Sequence, residues 1–92
     1  MYSRTAQVIN KSGLHARPAA AFVVETGKFS SNISVEKIND SDESGPVDAK
    51  SIIKILSLMI SYGDEIEISA TGNDEKEAVD ALVGLIESGC KE

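Results

Sequence analysis

The apolar residues of this chain change their spacing along its length, and that change most constrains the fold. Residues 65–70 alternate, with Ile66, Ile68 and Ala70 on one face and Glu65, Glu67 and Ser69 on the other. Such a period of two belongs to a half-buried strand. Further on, Ala78, Val79, Leu82, Val83, Leu85 and Ile86 recur at helical spacing, which marks an amphipathic helix. Asp74 and Glu75 stand at its positive end and Gly89 ends it. The same switch occurs earlier. Residues 3–10 read as a strand with Ala6 and Val8 on one face, and residues 16–26 as a helix stopped by Gly27. Residues 32–38 alternate again, with Ile33 and Val35 inward and Ser34 and Glu36 outward. The acidic, turn-rich stretch 39–46 reads as an exposed hairpin loop, with Val47 and Asp48 as a short returning strand. Its carboxylates do not match the EF-hand pattern. Ser51 is placed to cap a short helix within 51–60, and Tyr62-Gly63-Asp64 turns out of it. The order βαββαβα, with one hairpin connection, implies an α+β sandwich: a four-stranded antiparallel or mixed sheet with helices on one face.

Several classes of function are disfavoured. The 92 residues suffice for one domain, 1–92, with one core. No run approaches a membrane span, so no direct membrane insertion is expected. Residues 1–6 lack the basic and apolar regions of a signal peptide. A single cysteine, Cys90, rules out an internal disulfide framework and fits a reducing cytoplasm. The net charge of −6 argues against nucleic acid, whose binders need a basic footprint. The cations are uneven, however: Lys11, Arg17 and Lys28 lie near the only histidine, and Lys50 and Lys54 flank the short helix. A local basic patch on an acidic protein suits a phosphate or an acidic partner. No second ligand set accompanies Cys90 or His15, so no metal or cofactor is expected.

The histidine lies in Gly13-Leu14-His15-Ala16-Arg17-Pro18-Ala19-Ala20. Proline belongs in a first helical turn, where its missing N–H costs nothing. A helix start offers free backbone N–H groups and a positive dipole end to an anion. The N–H groups of Ala16 and Arg17 are the expected donors, and the guanidinium of Arg17 adds a fixed fork. A neutral imidazole beside such a site is suited to carry a phosphoryl group, and free histidine, titrating near pH 6.5, is substantially neutral in a cytosol. Spacing alone would place Ile52, Ile53, Leu56 and Met59 in the core.

Residues 13–20, together with Ala49-Lys50-Ser51-Ile52, Ser57-Leu58 and 70–78, closely resemble HPr, the histidine-containing phosphocarrier family of the bacterial sugar phosphotransferase system. The resemblance covers nearly the whole chain. It implies an open-faced β-sandwich: four antiparallel strands covered on one face by three helices. It implies that His15 accepts a phosphoryl group on Nδ1 from phosphorylated enzyme I and passes it to a histidine of an enzyme IIA domain, with Arg17 contacting the group. It marks Ser51 as a possible target of a regulatory serine kinase and phosphatase. It turns Ile52, Ile53 and Leu56 outward as partner contacts, with Leu14, Ala16 and Ala20, and puts Lys28, Lys50 and Lys54 on the same surface. Transient partners imply a monomer. The chain departs from the family in its longer loop 39–46. It also has Val24 and Gly27 where some members carry lysine, for which Lys28 can partly substitute, and an enteric-type Lys54. A regulatory paralogue is an alternative reading. A transcriptional co-effector is disfavoured by His15, which members of that kind lack, and a general-base enzyme by the want of an evident pocket.

Overall fold

The computed structural model describes residues 1–11, 13–38 and 45–90. Its elements follow the order read from the spacing: β1 (Tyr2–Gln7), α1 (Ala16–Thr26), β2 (Asn32–Lys37), β3 (Val47–Asp48), α2 (Ile52–Ser57), β4 (Glu65–Thr71) and α3 (Glu75–Glu87). The four strands form one sheet in the order β1-β4-β2-β3, and every pairing is antiparallel. The open choice between an antiparallel and a mixed sheet is thereby decided. The three helices cover one face, giving the open-faced sandwich. α3 packs on β1 and β4, and α1 lies against both α2 and α3.

The period of two determines which face is covered. Ala6, Ile33, Val35, Ile66, Ile68 and Ala70 point under the helices and are buried. They meet the stripe Ala78, Val79, Leu82, Val83, Leu85 and Ile86 of α3, also buried, and Phe22 of α1, which is wholly inaccessible. A one-residue slip of β4 would exchange Ile66 and Ile68 for glutamates, so the pattern fixes the register. Cys90 is buried against this core. No helix among the described residues is long and apolar enough to cross a membrane.

Two polar staples tie the helical layer to the sheet. Asp80 of α3 accepts from the Tyr2 hydroxyl at 2.9 Å and from Arg4 at 3.0 Å, which fastens the edge strand β1. Arg4, and then Tyr2, hold the Asp80 carboxyl below the usual aspartate range. Asp74, the N-cap residue of α3, makes no side-chain bond to the helix itself; its carboxylate accepts from the backbone N–H of Ser30 at 2.9 Å and of Ser31 at 3.0 Å, and from the Ser31 hydroxyl. The Ser31 hydroxyl, followed by the Ser30 and Ser31 amides, lowers the Asp74 pKa.

One expectation is modified. Gly27 closes α1 in a right-handed conformation (φ −67°), so it ends the helix without a left-handed turn. The acidic loop expected at residues 39–46 falls, over 39–44, outside the described residues. β1 and β2 both run antiparallel to β4, so they finish at the same end of the sheet; Ile38 there donates to the Glu65 carbonyl, and Val8 to that of Asp64.

Because the folded-state pKa of Asp74 is depressed, its contribution is present at neutral pH and is lost as pH falls through and below about 4. Asp74→Ala should lower the melting temperature at pH 7, and the gap from the parent should narrow steadily in melts recorded between pH 5 and pH 2. A gap independent of pH would exclude the carboxylate as the cause.

Candidate phosphoryl-acceptor site

The chain leaves β1, runs through Asn10 and reaches Gly13 in the left-handed region (φ +67°). Only glycine fits there. A Cβ would lie 2.4 Å from the Ile60 carbonyl oxygen and 2.8 Å from the Ser61 Cα, both backbone atoms. The next residue donates to that same carbonyl, Leu14 N–H to Ile60 O at 3.0 Å. Two loop backbones thus cross at van der Waals contact: the one carrying His15 and the one joining α2 to β4.

His15 follows as the N-cap of α1, with an extended backbone (φ −123°, ψ 153°) and no capping bond from its side chain. Its ring is exposed, as are Ala16, Arg17 and Ala20. Ala16 turns the chain into the helix with φ +48°, a conformation costing a non-glycine residue about 1–2 kcal/mol. Pro18, in the first turn as expected, is buried. Having no N–H, it leaves the donors of that turn concentrated at Ala16 and Arg17, directly beside His15. No acidic side chain occupies the turn. An exposed imidazole, a guanidinium two residues on and an unneutralised helix start make a place for a dianion.

The opposing loop is also held. Lys37, at the end of β2, donates from Nζ to the carbonyls of Leu58 and Met59, each at 3.4 Å, and lies 3.7 Å from the Asp64 carboxylate. Asp64 in turn accepts from the Ser61 N–H at 2.8 Å. Lys37 therefore satisfies carbonyls left open where α2 ends. Met59, like Ala16, has positive φ, at 53°. Sequence reading did not single out Lys37; its signal was a lysine on the inward face of an alternating strand. Nor did it single out Asn10, which read as the last residue of the strand 3–10.

Ser51 caps α2 as expected. Its hydroxyl accepts from the Lys54 N–H at 3.4 Å, a long bond, and its side chain is half-buried. Lys50 Nζ reaches the Phe29 carbonyl at 2.7 Å, Lys28 pairs with Glu25 at 3.0 Å, and Lys54 is exposed. Helix α2 is so short that only Ile55 is buried within it. Ile52, Ile53 and Leu56 are exposed, Ile53 by 75%, and so are Met59 and Val24. The core placement suggested by spacing is wrong for all four residues on and after α2. The helix contributes one side to the core, and its remaining apolar residues face water. Leu14 requires the opposite correction. It is fully buried, because its amide is pinned to Ile60 and its side chain drops into the core. It supports the site from beneath and offers partners no surface. Among the described residues no cluster of His, Cys, Asp and Glu could hold a metal ion.

The chain is thus a small open-faced βαββαβα sandwich whose first helix is started by an exposed histidine. The family described as "PTS HPr component phosphorylation site" matches residues 2–88, and the chain belongs to that family. It is 44% identical over 87 residues to the HPr-like protein Crh of Halalkalibacterium halodurans, covering 95% of this chain and 98% of the relative. It is 44% identical over 86 residues to the phosphocarrier protein HPr of Haemophilus influenzae, covering 94% and 95%. Among solved structures, HPr-C-His from Thermoanaerobacter tengcongensis matches with TM-score 0.89 at 50% identity, over 100% of this chain and 98% of that one. The HPr dimer from the same organism matches with TM-score 0.70 at 51% identity, over 96% and 95%.

Gly13→Ala combines a forced left-handed φ with a backbone collision. It should cost well over about 1 kcal/mol of stability in denaturant titration, and in amide spectra it should disturb residues on both loops. Confinement of the changes to residues 13–16 would show that the crossing is not the constraint.

Proposed function

We propose that this protein is a phosphocarrier of the sugar phosphotransferase system, with His15 as the acceptor. The observation that carries the reading is the exposed His15 at the start of α1, beside Arg17 and the first-turn N–H groups. The neutral Nδ1 of His15 attacks the phosphorus of phosphorylated enzyme I. The new N–P bond forms as the donor's bond to phosphorus breaks. The Arg17 guanidinium and the N–H groups of Ala16 and Arg17 hold the dianion. In the second transfer a histidine of an enzyme IIA domain takes the group and the His15 N–P bond breaks. Both are near-symmetric exchanges that need positioning and charge more than covalent help, and the chain's own residues supply both without a cofactor.

The exposed apolar residues Ile52, Ile53, Leu56 and Ala20, with Lys28, Lys50 and Lys54 around them, supply the partner surface. A modest apolar patch with a cationic rim suits acidic partners that bind and leave quickly. Lys28 and Lys50 are already engaged by Glu25 and the Phe29 carbonyl, so in this reading Lys54 and Arg17 carry more of the attraction. Ser51 is the regulatory position. A phosphate there would sit at the start of α2, where the fold tolerates it, and would repel acidic partners. The acting unit is residues 1–92, working in the cytoplasm as a monomer.

Incubated with enzyme I, phosphoenolpyruvate and magnesium, the protein should gain one acid-labile phosphate by intact mass, and His15→Ala none. Arg17→Ala should slow the transfer by roughly 10- to 150-fold, the equivalent of about 1.5–3 kcal/mol for a lost charge-assisted bond. No phosphate on a folded protein, with an enzyme I competent on another carrier, would sink the reading. Light scattering should give a mass near 9.8 kDa; twice that value would replace the monomer with a dimer.

A further inference from the structure

Asn10 lies two residues past Val8, which bonds the 63–64 turn, and five residues before His15. Asn10 is 5% exposed, one of few buried polar side chains. It grips Gly13 twice: its side-chain Nδ2 donates to the Gly13 carbonyl, and its own backbone carbonyl accepts from the Gly13 N–H at 3.0 Å. Its remaining polar atom, Oδ1, is buried and has no hydrogen-bond partner; among the described residues it is the sole side-chain atom in that condition. A buried carbonyl oxygen without a donor costs free energy, and an apolar residue of similar size would avoid that cost. The amide earns its place only through the bond from Nδ2.

That bond acts at a sensitive point. Gly13 is where the two loops touch, with left-handed φ and no room for a Cβ. The Gly13 carbonyl belongs to the same peptide unit as the Leu14 N–H, which donates to Ile60. Asn10 and Ile60 therefore hold that one peptide plane from its two ends. A plane held at both ends cannot rotate, and it lies one residue before His15. Downstream of it, Ala16 is kept at φ +48°, and such a conformation persists only where the surroundings over-determine it.

We infer that Asn10 is a positioning residue for phosphoryl transfer: by fixing the Gly13–Leu14 peptide plane it sets the orientation of His15 and of the Ala16 and Arg17 N–H groups. The inference rests on the phosphocarrier reading for its kinetic consequence, and on the hydrogen bonds alone for its structural one. Asn10 touches neither the reacting nitrogen nor the phosphoryl group.

The test compares the full chain with Asn10→Ala and Asn10→Ser, using amide spectra of the unphosphorylated proteins and the kinetics of phosphoryl uptake from enzyme I. In the spectra, shifts should concentrate at residues 13–17. In the kinetics, kcat should fall about tenfold or more while KM for enzyme I stays within about twofold, since misplacement of a reacting group lowers the rate without removing partner contacts. An unchanged kcat, or a rise in KM alone, overturns the inference, as does a lowered melting temperature with normal kcat, which would make Asn10 merely structural. Should Asn10→Ala fail to fold, Asn10→Ser is read by the same criteria. Should both fail, the parent decides: its Asn10 side-chain amide signals should move when His15 is phosphorylated, and their immobility overturns the inference. If the parent itself takes up no phosphate, the phosphocarrier reading falls. The spectra of the Asn10 variants then judge the positioning role alone, and shifts absent from residues 13–17 overturn it.

Discussion

The contact between Gly13 and Ile60 is the constraint on which the functional end of this protein depends. One loop carries His15, the proposed acceptor, and the other joins the short helix α2 to the central strand. Neither has regular structure to stabilise it. They stabilise each other by touching backbone to backbone, through a glycine that leaves no space and an amide that donates across the gap. The polar groups around the contact, from Asn10 on one side and from Lys37 and Asp64 on the other, satisfy carbonyls and N–H groups that the crossing would otherwise leave bare. The two non-glycine residues with positive φ nearest the site, Ala16 and Met59, flank this same contact. Backbone strain is concentrated beside His15, and the rigid sandwich beneath it absorbs the cost.

The rest of the molecule serves to hold those loops in register. β4 lies between β1 and β2, so the strand leading to His15 and the strand bearing Lys37 are aligned through a common neighbour. α3 covers that neighbour and is fastened at two points, by Asp74 to the start of β2 and by Asp80 to β1. Leu14 completes the arrangement from below, buried under the histidine that follows it.

The sequence was most legible where one periodicity repeats over many residues. α1 and α3, and the inward faces of β2 and β4, were readable because each burial choice recurs at fixed spacing. It was least legible at α2, whose six residues are too few for an apolar stripe to reveal which side it faces. Ile52, Ile53 and Leu56 look like core by composition, and only the resemblance to HPr turned them outward. Leu14 failed in the other direction: a leucine next to an exposed histidine reads as surface, and the bond that pulls it inward comes from a residue far away in sequence, Ile60. The pair His15 and Arg17, proposed here as the acceptor site, was legible as a motif. Asn10 and Lys37 were not, because the hydrogen bonds they donate from their side chains go to backbone carbonyls, and carbonyls carry no residue identity for a motif to encode.

The uncovered side of the sheet has a consequence of its own. Glu65 and Glu67 alternate with buried isoleucines and so lie on the open face, and Glu36 stands directly across from Glu67 in the β2–β4 register. Like charges facing each other do not favour the sheet. On the opposite layer, α1 and α2 carry Arg17 and Lys54 against Glu25 as their only acid, whereas α3 beside them carries Glu75, Glu77, Asp80 and Glu87 against Lys76. The positive charge is therefore gathered at the α1–α2 part of the helical layer, and both the open face and α3 are acidic. In the field of an acidic partner it experiences a torque before any contact forms, turning the α1–α2 face and its histidine forward and the glutamates away. Such orientation shortens the random search of each encounter, and because the charges are exposed, it fades as ionic strength rises.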